Sequence, residues 1–374
     1  GSSEEAKRIY QDILKKFPKN KRAQQGLVAL NKSKKSAATQ SPPQDTINQL
    51  INLYNQGQLT AVVEQAQALT EQYPKAFGIW NIIGVAKKGL GHIVEASEAF
   101  KKVIEINPSY VDGFSNLGVT LHEQGKLDEA LEAYNKALLI KPDSAELHFY
   151  IGNSLKNHGK LEEAIKAYKS AIELKDNYTE AHNNLGIALK DQGNLDDAIE
   201  AYNKALSVDQ KYVYAHYNLG KVFHTQGKLD EALEAYNKAL LINPDYTEAY
   251  NNMGTAFKHQ GKLEKAIEAY NKALSLKPDY AEAYNNIGVA FQDQGELDEA
   301  IEAFNKALSL KPDYAEAHRN LSFVLLNNGN ITDGLAKNEW RWKITRNSAM
   351  QRKFSIPVWD GRKSLRDKRI LLWS

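Results

Sequence analysis

Apolar positions along this chain recur with a helical period, and the pattern then returns as a block. From Ala281 to Tyr314 (AEAYNNIGVAFQDQGELDEAIEAFNKALSLKPDY), Tyr284, Ile287, Gly288 and Phe291 fall on one stripe, which predicts a helix over Ala281–Gln294. Gly295 then acts as a stop, because the left-handed conformation that ends a helix is least costly for glycine. Asp298 opens a second helix as an N-cap or first-turn acid suited to the helix dipole. The apolar stripe of that helix is Ala300, Ile301, Phe304, Ala307 and Leu308, and Pro312 prevents its continuation.

The block returns every 34 residues, with a glycine inside the first helix at Gly84, Gly118, Gly152, Gly186, Gly220, Gly254 and Gly288. A second glycine series follows seven residues behind, from Gly91 through Gly125, Gly159, Gly193, Gly227, Gly261 and Gly295 to Gly329. A fixed period of this length marks one supersecondary unit stacked many times. Such an array grows by neighbour contacts and presents a long surface, which suits binding more than chemistry. A glycine inside a helix costs roughly 1 kcal/mol relative to alanine. Close approach of the two helices is the expected compensation, with Ala300 and Ala307 as the small residues facing Gly288 and with Tyr284 and Phe304 filling the wider gaps.

These residues resemble the tetratricopeptide repeat. The first aromatic position of that template holds Trp80, Phe114, His148, His182, His216, Tyr250 and Tyr284. The small residue of helix two is Ala96, Ala130, Ala164, Ala198, Ala232, Ala266 and Ala300, and the aromatic after it runs from Phe100 through Tyr134, Tyr168, Tyr202, Tyr236 and Tyr270 to Phe304. Proline closes five of the seven units, with Asp176 and Gln210 in the other two. The resemblance implies an all-α, right-handed superhelical solenoid with the first helices on its concave face. Residues 77–314 form seven repeats. Residues 43–76 form a degenerate repeat in which Leu50 replaces the glycine. Residues 315–348 form a degenerate cap in which Ser322 replaces the glycine and Asn338 the aromatic. Residues 1–30 read as a partial repeat whose Glu4–Phe17 resembles an isolated second helix, so the chain is expected to begin mid-repeat. Residues 31–42 lack apolar periodicity and read as a linker.

Residues 349–374 read as a short irregular extension. Lys368 and Arg369 lead into an apolar run, Ile370–Trp373, expected to be an orphan strand. Asn338-Glu339-Trp340-Arg341-Trp342 and Pro357-Val358-Trp359-Asp360-Gly361 resemble the junction at which bacterial tetratricopeptide arrays precede a glycosyltransferase-like domain. That resemblance implies a catalytic domain beyond Ser374. The same aromatics also suit a cap over the last helix pair.

Charge changes the picture only when it is divided along the chain. The net charge is +2, yet residues 1–40 carry ten Lys/Arg against three acids and residues 335–374 carry eleven against three, leaving 27 basic and 40 acidic groups between them. An acidic arm argues against nucleic acid as its ligand, since phosphate neutralisation needs clustered cations. The absence of cysteine excludes thiol nucleophiles, disulfides and thiolate metal sites. No apolar run approaches the ~20 residues of a membrane helix. No secretory signal is visible, and a cytoplasmic location is expected.

Candidate binding residues lie on the first helices. An asparagine precedes the Leu/Ile/Met-Gly pair at Asn116, Asn184, Asn218, Asn252 and Asn286 and the equivalent Leu321-Ser322 pair at Asn320, and Ile82 and Tyr150 interrupt the series. An amide offers both a donor and an acceptor, so a ladder of amides can pair with a peptide backbone whatever its sequence. The series resembles the asparagine ladder in the repeat arm of protein O-linked N-acetylglucosamine transferases; the alternative is that these residues hold neighbouring repeats together. A row of acids opens the same helices at Asp112, Glu146, Glu180, Glu248, Glu282 and Glu316. It suits the helix dipoles and, as an alternative, a preference for basic peptides. His148, His182, His216 and His318 belong to different units, too far apart to share one ion at ~2 Å bonds, so packing is expected. No catalytic, cofactor or metal site is recognisable. The expected function is a protein-interaction scaffold gripping an extended peptide or partner surface. The alternatives are the substrate-recognition arm of a glycosyltransferase and a self-associating assembly protein joined through its basic ends, acidic arm or Ile370–Trp373.

Overall fold

The computed structural model describes residues 2–16, 20–27 and 41–340, and the regular elements among them are all helical. The linker before residue 41, the Pro357–Gly361 element and the orphan strand Ile370–Trp373 lie outside the described residues. The helices are α1 (Ser2–Lys16), α2 (21–27), α3 (Gln44–Asn55), α4 (Leu59–Gln72), α5 (Phe77–Gly89), α6 (Ile93–Ile106), α7 (Val111–Glu123), α8 (Leu127–Ile140), α9 (Ala145–Asn157) and α10 (Leu161–Leu174). They continue with α11 (Thr179–Gln192), α12 (Leu195–Val208), α13 (Val213–Thr225), α14 (Leu229–Ile242), α15 (Thr247–His259), α16 (Leu263–Leu276), α17 (Ala281–Gln294), α18 (Leu297–Leu310), α19 (Ala315–Asn327) and α20 (Ile331–Asn338). The chain divides into two compact units, residues 1–184 and 185–374, each a stack of helix pairs.

The turn inside each pair is set by the second glycine series. Its eight members, and Gly57 at the equivalent position of residues 43–76, adopt positive φ, between 73° and 93°. The 6→1 bond of a Schellman turn accompanies them, as in Lys126 N to Leu121 O at 2.9 Å. The second helices end without needing proline. α10 and α12 stop at Leu174 and Val208, where Asp176 and Gln210 replace it, with the same closing bond to the fourth residue back that Lys311 N makes to Ala307 O. Ring nitrogens hold the loop that follows. Trp80 Nε1 donates to Pro74 O (3.2 Å), and His182, His216 and His318 use Nε2 towards the carbonyls of Asp176, Gln210 and Pro312 at 2.9, 3.1 and 2.9 Å. Because a carbonyl only accepts, each of these histidines carries its hydrogen on Nε2. These histidines therefore bridge a loop, as Trp80 does.

The first glycine series has a different partner from the one expected. A Cβ added at Gly118, Gly152, Gly186, Gly220 or Gly254 would lie 2.4–2.7 Å from the ring of Tyr134, Tyr168, Tyr202, Tyr236 or Tyr270 respectively. Gly84 and Gly288 meet Phe100 and Phe304 in the same way, at 2.5 and 2.8 Å. The glycine thus makes room for the fully buried aromatic of helix two, not for Ala300 and Ala307. This contact also explains the two breaks in the series. In residues 43–76 Leu50 stands at the glycine position and Ala66 at the ring position, both buried in one cluster. The bulk has moved from one helix to the other at similar total volume, the kind of swap a core tolerates. In the last repeat Asn338 removes the ring, and the buried Ser322 takes the glycine position with its Oγ donating to Gly334 O at 2.7 Å.

The ring hydroxyls differ among repeats. Tyr168 Oη donates to Asn153 Oδ1 (2.8 Å) and Tyr270 Oη pairs with Thr255 Oγ1 (3.2 Å); Asn153 and Thr255 each follow the helix-one glycine. Ile187 holds that position opposite Tyr202, whose buried hydroxyl has no hydrogen-bond partner among the described residues. Burial raises the pKa of all three phenols, to about 12 in Tyr270.

Two outcomes are expected. Gly288→Ala should destabilise the chain by ~1–3 kcal/mol in urea unfolding despite alanine's higher helix propensity, and Gly288→Leu combined with Phe304→Ala, copying Leu50 and Ala66, should recover most of that loss. Tyr168→Phe should cost about 0.5–1.5 kcal/mol, whereas Tyr202→Phe should be neutral or stabilising by the same measurement.

Candidate functional site

Within each unit the first helices of successive repeats lie side by side, joined by hydrogen bonds between residues about one repeat apart. In the first unit Asn116 Nδ2 donates to Asn81 Oδ1 (3.2 Å) and Asn184 Nδ2 to Asn153 Oδ1 (2.8 Å). In the second, Asn252 donates to Tyr217 Oη (2.9 Å), Asn286 to Asn251 Oδ1 and Asn320 to Asn285 Oδ1, both at 3.0 Å. Asn218 occupies the equivalent half-buried position on α13. The ladder asparagines are thus not bonded to one another but to a second set that the sequence pattern does not single out: Asn81, Asn153, Tyr217, Asn251 and Asn285, the last two buried. The doubled asparagines at 251–252 and 285–286 were the available signal. Asn116, Asn184, Asn252, Asn286 and Asn320 each spend one N–H sideways, and the carbonyls of Asn184, Asn252 and Asn320 accept from Asn183, Asn251 and Arg319 with one of their two lone pairs.

One helical turn towards the N-terminus lie the acids. Asp112, Glu146, Glu180, Glu248 and Glu316 are exposed and Glu282 is half-buried. Tyrosines lie among them. Burial raises Tyr178, and the Glu146 and Glu180 carboxylates add to the shift. Burial likewise pushes Tyr280 up to about 12, with contributions from Glu248 and Glu282, and raises Tyr314 beside Glu316 and Glu282. Carboxylates and phenols therefore alternate along this edge. Lys311 Nζ reaches Glu282 Oε1 at 3.4 Å, and Arg319 reaches Glu316 at 3.7 Å.

Cations gather at the other end of the first helices. In the second unit a cleft of about 300 Å³ is lined by Lys190, Lys221, His224, Asn252 and Thr255, among others. Burial lowers the Lys221 pKa, and Lys190 lowers it further while Asp191 opposes. His224 Nε2 and His259 Nδ1 are 2.8 Å apart with nearly parallel rings, so one hydrogen is held between them. Burial lowers both imidazoles, followed by the charge of His259 for His224 and of Lys258 for His259. Among the described residues no group of three or more metal-ligating side chains occurs, and no helix is long and apolar enough to cross a membrane. At the end of the array Trp340 stacks on His318, with ring centroids 4.0 Å apart, so the first tryptophan of the C-terminal element covers the last first helix.

The sign of the histidine effect follows from linkage. The folded pair binds fewer protons than the unfolded chain as pH falls through the ordinary histidine value of about 6.5, so stability is full above that pH and is lost below it. Thermal unfolding at mildly acidic and at neutral pH should show this loss in the parent chain, and His224→Gln with His259→Gln should reduce it.

Family sequence models described as TPR repeat match residues 120–159, 152–193, 187–227, 222–261 and 254–295, and models described as tetratricopeptide repeat match 77–110, 99–132 and 281–314. Among solved structures, a chain of the APC/C hetero-tetramer Cut9-Hcn1 is similar at 19% identity and TM-score 0.55, covering 71% of this chain and 52% of that one. A tetratricopeptide repeat protein from Parabacteroides merdae is similar at 22% identity and TM-score 0.55, covering 67% and 98%. MamA matches at 33% identity and TM-score 0.41 over 46% of this chain and 94% of its own. This chain spans about half the length of the Cut9-Hcn1 chain that it matches. No curated protein sequence matches it.

Proposed function

We propose, from the premise that this chain belongs to the tetratricopeptide-repeat family, that it is a protein-interaction scaffold holding an extended peptide or partner segment along its first helices. The observation that carries this reading is the half-used amide ladder. Asn252, Asn286 and Asn320 each give one N–H to the preceding repeat, which fixes the side chain without exhausting it. A side chain already held in place loses little entropy when it meets a ligand, and preorganisation of this kind favours binding. The second N–H and the carbonyl oxygen suit the peptide unit of an extended chain. Holding repeats together and contacting a ligand are therefore compatible roles for the same amides.

The acidic edge supports a preference among peptides. Glu146, Glu180 and Glu248 are exposed one turn from the ladder positions, where they complement the helix dipoles and offer negative potential to a passing cation.

The test is selection of extended peptides from a displayed random library, followed by anisotropy measurements on the selected sequences. Replacing Asn252, Asn286 and Asn320 together with alanine should weaken binding about tenfold or more, equivalent to ~1.4 kcal/mol, while Glu268→Ala and Lys272→Ala on α16 should leave it unchanged. Urea unfolding of the same variants separates lost affinity from lost stability. Equal affinity in parent and triple variant would reject the ladder as the binding element.

A further inference from the structure

In the second unit one stretch of the edge where acids and tyrosines alternate has a chemical character of its own. In three repeats a lysine three residues before the edge tyrosine lays its ammonium over the ring: Lys175 over Tyr178 at 4.4 Å, Lys277 over Tyr280 at 5.1 Å and Lys311 over Tyr314 at 4.9 Å. At Tyr246 the corresponding residue is Asn243. Its side chain turns back to accept from Asp245 N at 3.1 Å and brings no cation. The same repeat carries Tyr214 where its neighbours carry Glu180 and Glu248. Tyr214 is 57% exposed. It lies edge-on to Tyr246 at 6.2 Å, and Tyr217 packs on Tyr246 at 4.8 Å. Tyr217 has its own cation, Lys221 at 5.5 Å. Asn107 before Tyr110 and Asp209 before Tyr212 also replace the lysine, and Phe77 packs on Tyr110 at 5.0 Å; what marks the second-unit stretch is Tyr214, an exposed ring whose centroid lies 5.6 Å from that of Tyr212 and 6.2 Å from that of Tyr246.

Negative charge accompanies these rings. Burial raises the Tyr246 phenol first, and Tyr217, the Glu248 carboxylate and Tyr214 raise it further, so Glu248 lies within electrostatic reach of the cluster. A ring face and a nearby carboxylate both attract an ammonium or guanidinium group, and the attraction strengthens as water is displaced. Tyr214 also lies four residues before Asn218, one turn along the same face as the ladder.

We propose that Tyr214, Tyr246 and Glu248 form a subsite for a lysine or arginine side chain of a peptide bound along the first helices, the external cation taking the role that Lys277 and Lys311 play inside their own repeats. The assignment rests on the first-helix face being the binding face. Partner segments with cationic side chains fit the subsite, and acidic or wholly apolar segments do not.

The test uses three fluorescein-labelled peptides of alternating serine with lysine, norleucine or trimethyllysine, titrated into the full chain and followed by anisotropy. The lysine and trimethyllysine peptides should bind and the norleucine peptide should not. Tyr214→Leu, which keeps bulk and removes the π face, and Asn243→Lys, which restores the internal lysine, should each weaken the lysine peptide at least about fivefold, while Tyr214→Phe should hold it within about twofold. Asn243→Lys introduces the residue that Lys141, Lys175, Lys277 and Lys311 already provide in folded repeats, so it tests occupancy without threatening the fold. Unchanged affinity in both weakening variants, equal binding of the norleucine peptide, or no binding of the lysine peptide would overturn the subsite. If library-selected peptides still bind through Asn252, Asn286 and Asn320 while the lysine peptide does not, the subsite fails and the scaffold reading stands.

Discussion

The contact between a helix-one glycine and the helix-two ring sixteen residues later governs the seven helix pairs of residues 77–314. It brings two helices together over a buried aromatic while placing no side chain in the way. The helix-propensity cost of the glycine, roughly 1 kcal/mol, is small against the burial of a whole phenyl ring, worth about 1.5–3 kcal/mol on transfer alone. The positive-φ glycine at the turn does a separate task. It reverses the chain, and it can do so for any pair of helices. The ring contact decides how closely those helices meet, and hence which first-helix residues are left on the face that neighbouring repeats share.

That distinction separates what could be read from the sequence from what could not. Helix limits such as Ala281–Gln294, the turn glycines and the stacked architecture follow from periodicity and from glycine's left-handed preference, both of which are local. Ala300, Phe304 and Ala307 lie on one stripe, and a stripe does not say which member points at Gly288, so the partner, Phe304, is visible only in the structure. Leu50 looked like a break for the same reason: its compensating residue, Ala66, is recognisable only once the ring position is known to oppose it.

The ladder shows a second limit. Asn286 was identifiable from its recurrence, but its bond to Asn251 joins residues 35 apart in separate repeats. Reading one repeat at a time leaves such contacts out of view, and so left out the buried acceptors Asn251 and Asn285. The Tyr214–Tyr246 cluster belongs to the same class. Neither tyrosine is unusual alone; what marks them is the difference between their repeat and the adjacent ones, Tyr214 where both carry Glu, and Asn243 where they carry Asp209 and Lys277. In an array whose framework repeats, such local departures carry more chemical information than the framework itself.

The glycine–ring pairing also bears on how an array of this kind changes length. Both members of each contact lie inside one 34-residue block, at a fixed internal distance. Duplicating or deleting a whole block in register therefore breaks none of these contacts and creates no new packing problem, whereas a single inserted residue between glycine and ring would disrupt the pair that contains it. The reach of the surface can grow or shrink by recombination in quantal steps, and the choice of what it contacts can be altered afterwards, one exposed side chain at a time.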